Sequence, residues 1–151
     1  MPERRFTARA LIRRDRQAVF DWVADHRNLP SVLEGITRWE PIGRQTRGVG
    51  ARFQVEMHAL GFPLVNELVL ETWDPPRAIE WRSASGLVRQ RGGWRFDEHP
   101  EGTMTTLTIA YTPPGGLAGY LVAGRVDHLV RDRLERALAR MKDLIEAPES
   151  G

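Results

Sequence analysis

The sequence contains no cysteine, so disulfide bonds and thiolate chemistry are excluded. Lys142 is its single lysine, and 22 Lys+Arg against 20 Asp+Glu leave a net charge of only +2. No run approaches the ~20 apolar residues that a membrane span needs, so we expect no stable membrane insertion. The arginines between residues 4 and 16 are not followed by an apolar run, which argues against a secretory signal. We therefore expect a cytoplasmic location.

Nucleic-acid and metal sites are also not expected. The later arginines are interleaved with acidic residues, and Asp127/Arg131 and Asp132/Arg136 have the acid-first i,i+4 spacing that stabilises a solvated helix. A nucleic-acid-binding protein concentrates its basic residues without acidic neighbours. The four histidines lack metal-binding spacing, and neither a phosphate-binding loop nor a serine nucleophile elbow is present. We expect no metal and no cofactor.

Hydrophobic periodicity predicts one α+β domain over residues 1–151, near the modal domain size. Alternation over 5–12 predicts a first strand. Asp15 has the position of an N-cap before a short helix at 16–25, and a second helical turn ends at Gly35. From 36 to 112 the period is two, which predicts six further strands at 36–42, 51–58, 64–73, 78–83, 87–97 and 102–112. Because short turn-forming segments separate them, these strands should form an antiparallel meander.

A long C-terminal helix should follow and end near Glu146. Its apolar stripe consists of Val122, Val126, Leu129, Val130, Leu134, Leu138, Met141 and Ile145. Some 30 helical residues measure roughly 45 Å, whereas seven strands make a sheet about 30 Å wide. The sheet must therefore curve around the helix, which predicts a helix-grip fold. Glycines cluster in the first turns of this helix, where we expect a mobile or deliberately slim end.

Four segments resemble a known superfamily. They are residues 16–25, the glycine turn at 48–53, the Trp-Asp-Pro-Pro segment within 73–81, and the hairpin at 93–103. Together they resemble the START-like or Bet v 1-like superfamily (SRPBCC), in its polyketide cyclase/dehydrase-like branch. The resemblance implies a cavity between sheet and helix for lipids, polyketides or other apolar ligands. Some members bind or carry such ligands and others catalyse cyclisation or dehydration. Since none of these segments is a catalytic motif, the resemblance implies the cavity rather than a reaction.

Strand phase predicts which side chains line this cavity. The expected lining residues are Phe53, Val55, Met57, Asn66, Leu68, Trp81, Gln90, Trp94, Leu107, Ile109 and Tyr111 from the strands, with Tyr120, Leu121, Arg125 and His128 from the helix. Asn66 and Gln90 interrupt an otherwise apolar face. Either other protein groups or water satisfy each amide, or it orients a polar group of the ligand. A one-residue slip at Asn66 would turn Glu67 and Glu71 inward, which we do not expect because it buries carboxylates.

Two further expectations concern chemistry and access. His128 is the candidate general acid or base, since imidazole titrates near neutrality; the alternative is that this flank of the helix faces solvent. Alternate connections of a meander meet at one end of the sheet. The expected pocket mouth there consists of Leu60, Phe62, Leu87 and Leu117.

Three functions remain open on the sequence alone. The first is binding or carriage of a small hydrophobic molecule. The second is a cyclase/dehydrase-type enzyme that uses the same cavity. The third is an interaction module whose cavity is filled by its own side chains, and this module would associate with itself as a homodimer.

Overall fold

Seven strands, two α-helices and a 3-10 helix form the part of the chain that is described here. The computed structural model describes residues 3–59, 61–86, 88–112 and 117–148, without the side chains of 59, 62 and 117–123. The helices are α1 (Arg16–Ala24), a 3-10 helix (His26–Ser31) and α2 (Leu117–Glu146). The strands are β1 (Arg4–Ile12), β2 (Ile36–Ile42), β3 (Arg52–Ala59), β4 (Phe62–Asp74), β5 (Ala78–Gly86), β6 (Arg89–His99) and β7 (Gly102–Thr112).

The strands form one antiparallel sheet in the order β1-β7-β6-β5-β4-β3-β2. Strands β2 to β7 follow one another as a meander, and β1 returns to pair with β7, which confirms the predicted helix-grip fold. Strand β5 extends to Gly86, three residues beyond its predicted end. Beyond the pair of Leu68 with Ser83 the register shifts, and the β4–β5 ladder then continues with Glu67 opposite Ser85 and Asn66 opposite Gly86.

Capping side chains set the start of the first two helices. The carboxylate of Asp15 accepts a hydrogen bond from the backbone N–H of Ala18, as expected of an N-cap. Asp25 caps the 3-10 helix in the same way. Helix α1 then buries Phe20, whose ring makes edge contacts with Trp73 and Phe96. These contacts close one end of the sheet against α1.

Helix α2 contributes to the core through its C-terminal half. Its buried residues are Leu134, Ala137, Leu138 and Met141, and it packs chiefly against β1. Within the described stretch 124–133 every side chain is at least partly exposed. None of the described helices combines the length and apolarity that a membrane crossing requires. Among the described side chains of α2, those from Leu134 onward therefore make the tightest contact with the sheet, and those at 124–133 make a looser one.

Candidate functional site

The inner face of the sheet is organised in rows of side chains that run across the strands. Paired residues of antiparallel strands point to the same side. The registers place Trp39, Val55, Asn66 and Gly86 in one such row across β2 to β5. Asn66 is buried while Glu67 is not, so the strand has the predicted phase and no one-residue slip occurs.

Most of the predicted strand residues are shielded from solvent. The buried ones are Phe53, Val55, Asn66, Leu68, Trp81, Trp94, Leu107 and Tyr111, and the partly buried ones are Met57, Gln90 and Ile109. Leu60 and Leu87 lie outside the described residues, as do the side chains of Phe62, Leu117, Tyr120 and Leu121. The predicted pocket mouth therefore stays a prediction.

Asn66 is a deeply buried polar side chain of this face. It is 2% exposed, and neither its amide nitrogen nor its amide oxygen has a hydrogen-bond partner among the described residues. The amide lies over the Cα of Gly86, where a Cβ would collide with Oδ1. Because buried polar groups are normally paired, this amide has unused capacity to bind a polar group.

Two indoles of the same face also have unpaired N–H groups. The nitrogens of Trp81 and Trp39 are buried without a hydrogen-bond partner in the described part of the chain. The Trp81 ring approaches Gly92 so closely that a Cβ there would lie 2.5 Å from Cζ2 of the ring. Trp39 lies with its ring centroid 6.1 Å from that of Phe53. Both indoles thus offer an apolar surface together with one hydrogen-bond donor.

A polar cluster joins β1, β7 and α2 at the other side of the inner face. The Tyr111 hydroxyl donates to the carboxylate of Asp127, and the Arg4 guanidinium donates to the same carboxylate. Burial raises the pKa of Tyr111, and the hydrogen bond to Asp127 raises it further. The predicted pairing of Asp127 with Arg131 is wrong, because Asp127 turns toward the sheet and Arg131 lies over the Phe6 ring, 5.4 Å from its centroid.

The structure places Arg125 and His128 differently from the prediction. Both side chains are exposed. The buried stripe through Leu134 and Leu138 continues toward Val130. Because each helical residue is rotated by about 100° from the one before, His128, two residues before Val130, lies on nearly the opposite side of the helix. His128 therefore no longer serves as the candidate for proton transfer.

Arg133 is a further candidate site residue, and sequence reasoning missed it. Its side chain is partly buried, and Nε and Nη1 are shielded from solvent without a hydrogen-bond partner in the described ranges. Burial lowers the pKa of Arg133, which the charge of Glu34 partly offsets. The sequence held one signal: Arg133 lies one helical turn before the fully buried Ala137, so the two share a face.

A second concavity lies outside the sheet–helix layer. It is an open groove of about 870 Å³ between the β1–α1 turn and the β6–β7 turn. Arg16 forms an ion pair with Glu98 there, with 3.0 Å between Nη2 and Oε1. The groove is lined by Arg13, Arg14, Asp15, Arg16, Gln17, Pro76, Glu98, His99, Pro100, Glu101 and Gly102. Since its acidic and basic groups largely balance, the groove favours no ligand charge.

Comparison with known proteins agrees with this architecture. The family model described as polyketide cyclase / dehydrase and lipid transport matches residues 3–146. No curated protein matches the chain. Among solved structures, a protein of Thermus thermophilus is 23% identical with a TM-score of 0.84, covering 97% of this chain and 100% of that one.

Two further structures share the fold. The Zhui aromatase/cyclase of Streptomyces sp. R1128 is 13% identical with a TM-score of 0.78, and the match covers 97% of this chain and 98% of that one. The ginseng major latex-like protein 151 of Panax ginseng is 14% identical with a TM-score of 0.65, covering 97% and 99%. At these identities the likeness establishes the fold.

Proposed function

Because the chain belongs to the polyketide cyclase / dehydrase and lipid transport family, we propose that it binds a small hydrophobic molecule. The ligand lies between the inner face of the sheet and the N-terminal half of α2. The observation that carries this proposal is that burial changes along α2: its described buried residues all lie at or beyond Leu134. The inner face continues past that point with the partly buried Met57, Leu64 and Ile109.

Unpaired polar groups within this apolar face favour a ligand-binding site over a close-packed hydrophobic core. A buried amide or indole N–H without a partner costs free energy that an apolar replacement would avoid. Asn66, Trp39 and Trp81 all carry this cost on one face. A bound molecule with one or two polar atoms would satisfy them, and ligand pockets are typically apolar with few polar groups.

Thermal unfolding against a panel of fatty acids, sterols, flavonoids and aromatic polyketides tests the proposal. A ligand at 100 times its Kd stabilises the fold by about 2.7 kcal/mol. At roughly 2–4 °C per kcal/mol for a domain of this size, Tm should rise by about 5–11 °C. A cooperative transition that no compound shifts would contradict the proposal.

Two neighbouring residues of β4 give a matched control for the location of the ligand. Leu64 pairs with Met57 on the inner face and is partly buried, whereas Val65 is 47% exposed on the outer face. The substitution Leu64→Trp should fill part of the space and reduce the ligand-induced Tm shift. Val65→Trp adds an indole to the same strand and should leave the shift unchanged. Equal losses in both variants would contradict this location.

The second candidate function is a cyclase/dehydrase-type enzyme, which the cluster of Tyr111, Asp127 and Arg4 favours. To act on a substrate, the Tyr111 hydroxyl must turn its single proton from Asp127 to a carbonyl oxygen of the ligand, while Arg4 keeps the carboxylate of Asp127 paired. The raised pKa of Tyr111 is far from neutral, so it suits hydrogen-bond donation better than proton transfer. If the enzyme hypothesis holds, Tyr111→Phe loses turnover and keeps binding. Binding without turnover in the unaltered protein supports the carrier function.

The third hypothesis, a cavity filled by the protein's own side chains, makes a different prediction. It requires stable self-association and no response to any ligand. Size-exclusion chromatography with light scattering across the concentration range of the Tm assay distinguishes it from the first two.

A further inference from the structure

The unpaired polar groups of the inner space are mainly hydrogen-bond donors. Arg133, Trp39 and Trp81 contribute only N–H groups, whereas the Asn66 amide, the Thr105 hydroxyl and Nδ1 of His26 can donate or accept. A pure hydrocarbon would leave every one of these groups unsatisfied. The complementary ligand therefore carries oxygen acceptors as well as an apolar body.

Arg133 is the one charged group among them. Its position on the core-facing side of α2 is set by Val130 and Ala137, which lie three residues before and four residues after it. The guanidinium approaches the backbone of Gly35 so closely that a Cβ there would lie 2.5 Å from Nη1. Gly35 thus leaves the space that the guanidinium occupies between α2 and the start of β2.

The nearby acidic residue is already engaged by other arginines. Both carboxylate oxygens of Glu34 accept hydrogen bonds from Nε of Arg136 at 3.0 Å, and Arg140 lies 3.8 Å away. Both of these arginines are about half exposed. Among the residues that the structure describes, Arg133 therefore has no carboxylate of its own, and its two shielded nitrogens, Nε and Nη1, are left without a hydrogen-bond partner.

Arg133 lies at the β2 edge of the sheet whose inner face carries Asn66. Gly35 immediately precedes Ile36, which pairs with Met57, and Met57 pairs with Leu64. Asn66 belongs to the next row of the inner face, about 7 Å further along β4. A molecule lying on this face can thus reach Arg133 with one end and Asn66 with its body.

From this arrangement we infer that the ligand is a hydrophobic acid and that Arg133 binds its carboxylate. The inference rests on the proposed ligand-binding function and names the chemical class of the ligand. The planar guanidinium matches a carboxylate geometrically, and in a space shielded from water such a pair is stronger than at the surface. The Trp39 and Trp81 rings contact the apolar body, and Asn66 binds a second oxygen where the ligand has one.

Matched acid and ester probes test this inference. Decanoic acid and 1-naphthoic acid are titrated beside their methyl esters, and tryptophan fluorescence reports binding. The unaltered protein should bind each acid roughly ten- to a hundredfold more tightly than its ester, as expected for a hydrogen bond to a charged group. Equal affinities for acid and ester would overturn the role of Arg133 while leaving the proposed function intact. Binding of neither would overturn both.

Two variants locate the effect. Arg133→Met should remove the preference for acids while the affinity for the esters is retained. Arg95→Met removes an arginine whose side chain is 75% exposed on the outer face of β6, and it should keep the preference. If Arg133→Met retains the preference, or Arg95→Met loses it, the assignment to Arg133 is wrong. The comparison of acid with ester in the unaltered protein decides the inference even if a variant fails to fold.

Discussion

Replacing Asn66 by leucine should stabilise the ligand-free protein, although it changes a buried residue. The two side chains branch at the same atom, so leucine can follow the path of asparagine, although its larger methyl groups require some repacking over Gly86. The buried amide has no partner in the described structure, and an unsatisfied amide costs about 1–3 kcal/mol. Allowing for imperfect fit, we expect a gain of about 1–2 kcal/mol, or a Tm higher by roughly 2–8 °C.

Urea unfolding and calorimetry in the absence of ligand measure this gain. The control is Gln54→Leu, which alters an exposed amide on the outer face of β3 and should change stability by no more than about 0.5 kcal/mol. Asn66→Leu should at the same time weaken binding of oxygen-rich ligands. A loss of more than about 1 kcal/mol in the ligand-free variant would refute the reasoning, because it would mean that the amide is hydrogen-bonded in the folded protein.

Three further outcomes are expected. Met141→Ala should cost about 2–5 kcal/mol in urea unfolding, since its side chain is fully buried in the α2 contact. Absorbance titration should show that the phenol of Tyr111 ionises well above its usual pKa of 10.0, and Tyr111→Phe should remove this signal. Because the pKa is raised in the folded state, the phenol contributes stability fully below pH 10, and this contribution is lost as the pH rises further. Carboxyl NMR should give Asp25 a pKa of about 2, lowered by its hydrogen bond from Arg27. The contribution of this carboxylate to the stability of the fold is therefore present above pH 3.8 and is lost as the pH falls toward 2. Arg27→Ala should raise that pKa.

Local patterns were sufficient to predict the fold. Alternation between residues 36 and 112, broken by turn-forming segments, is a signal that each strand carries within itself. The predicted bounds of β2 and β7 agree with the structure, as does the end of α2 at Glu146. The orientation of Asn66 followed from the same alternation. These features depend on neighbours in sequence, which is why they could be read without coordinates.

The site depends on contacts between distant parts of the chain. Asp127 binds Arg4, 123 residues away, rather than Arg131 on its own helix. The i,i+4 rule describes an isolated helix and cannot include a competing guanidinium on β1. His128 was misplaced for a related reason: its flank of α2 was chosen by local spacing, whereas packing of Leu134 on the sheet sets the rotation of the whole helix.

Arg133 offers a physical reason why the contact between helix and sheet changes along the described part of α2. Further apolar residues on the core-facing side of the helix would close α2 onto the sheet along its length, as Ala137 and Met141 do near its end. A guanidinium at that position opposes close packing of α2 on the sheet, because burying it without a hydrogen-bond partner costs free energy. The unpaired amide of Asn66 opposes the same packing from the side of the sheet. We therefore expect both residues to lower the stability of the ligand-free protein. Departures from good packing of this kind are expected where a fold keeps a binding site, since the ligand supplies the missing partners.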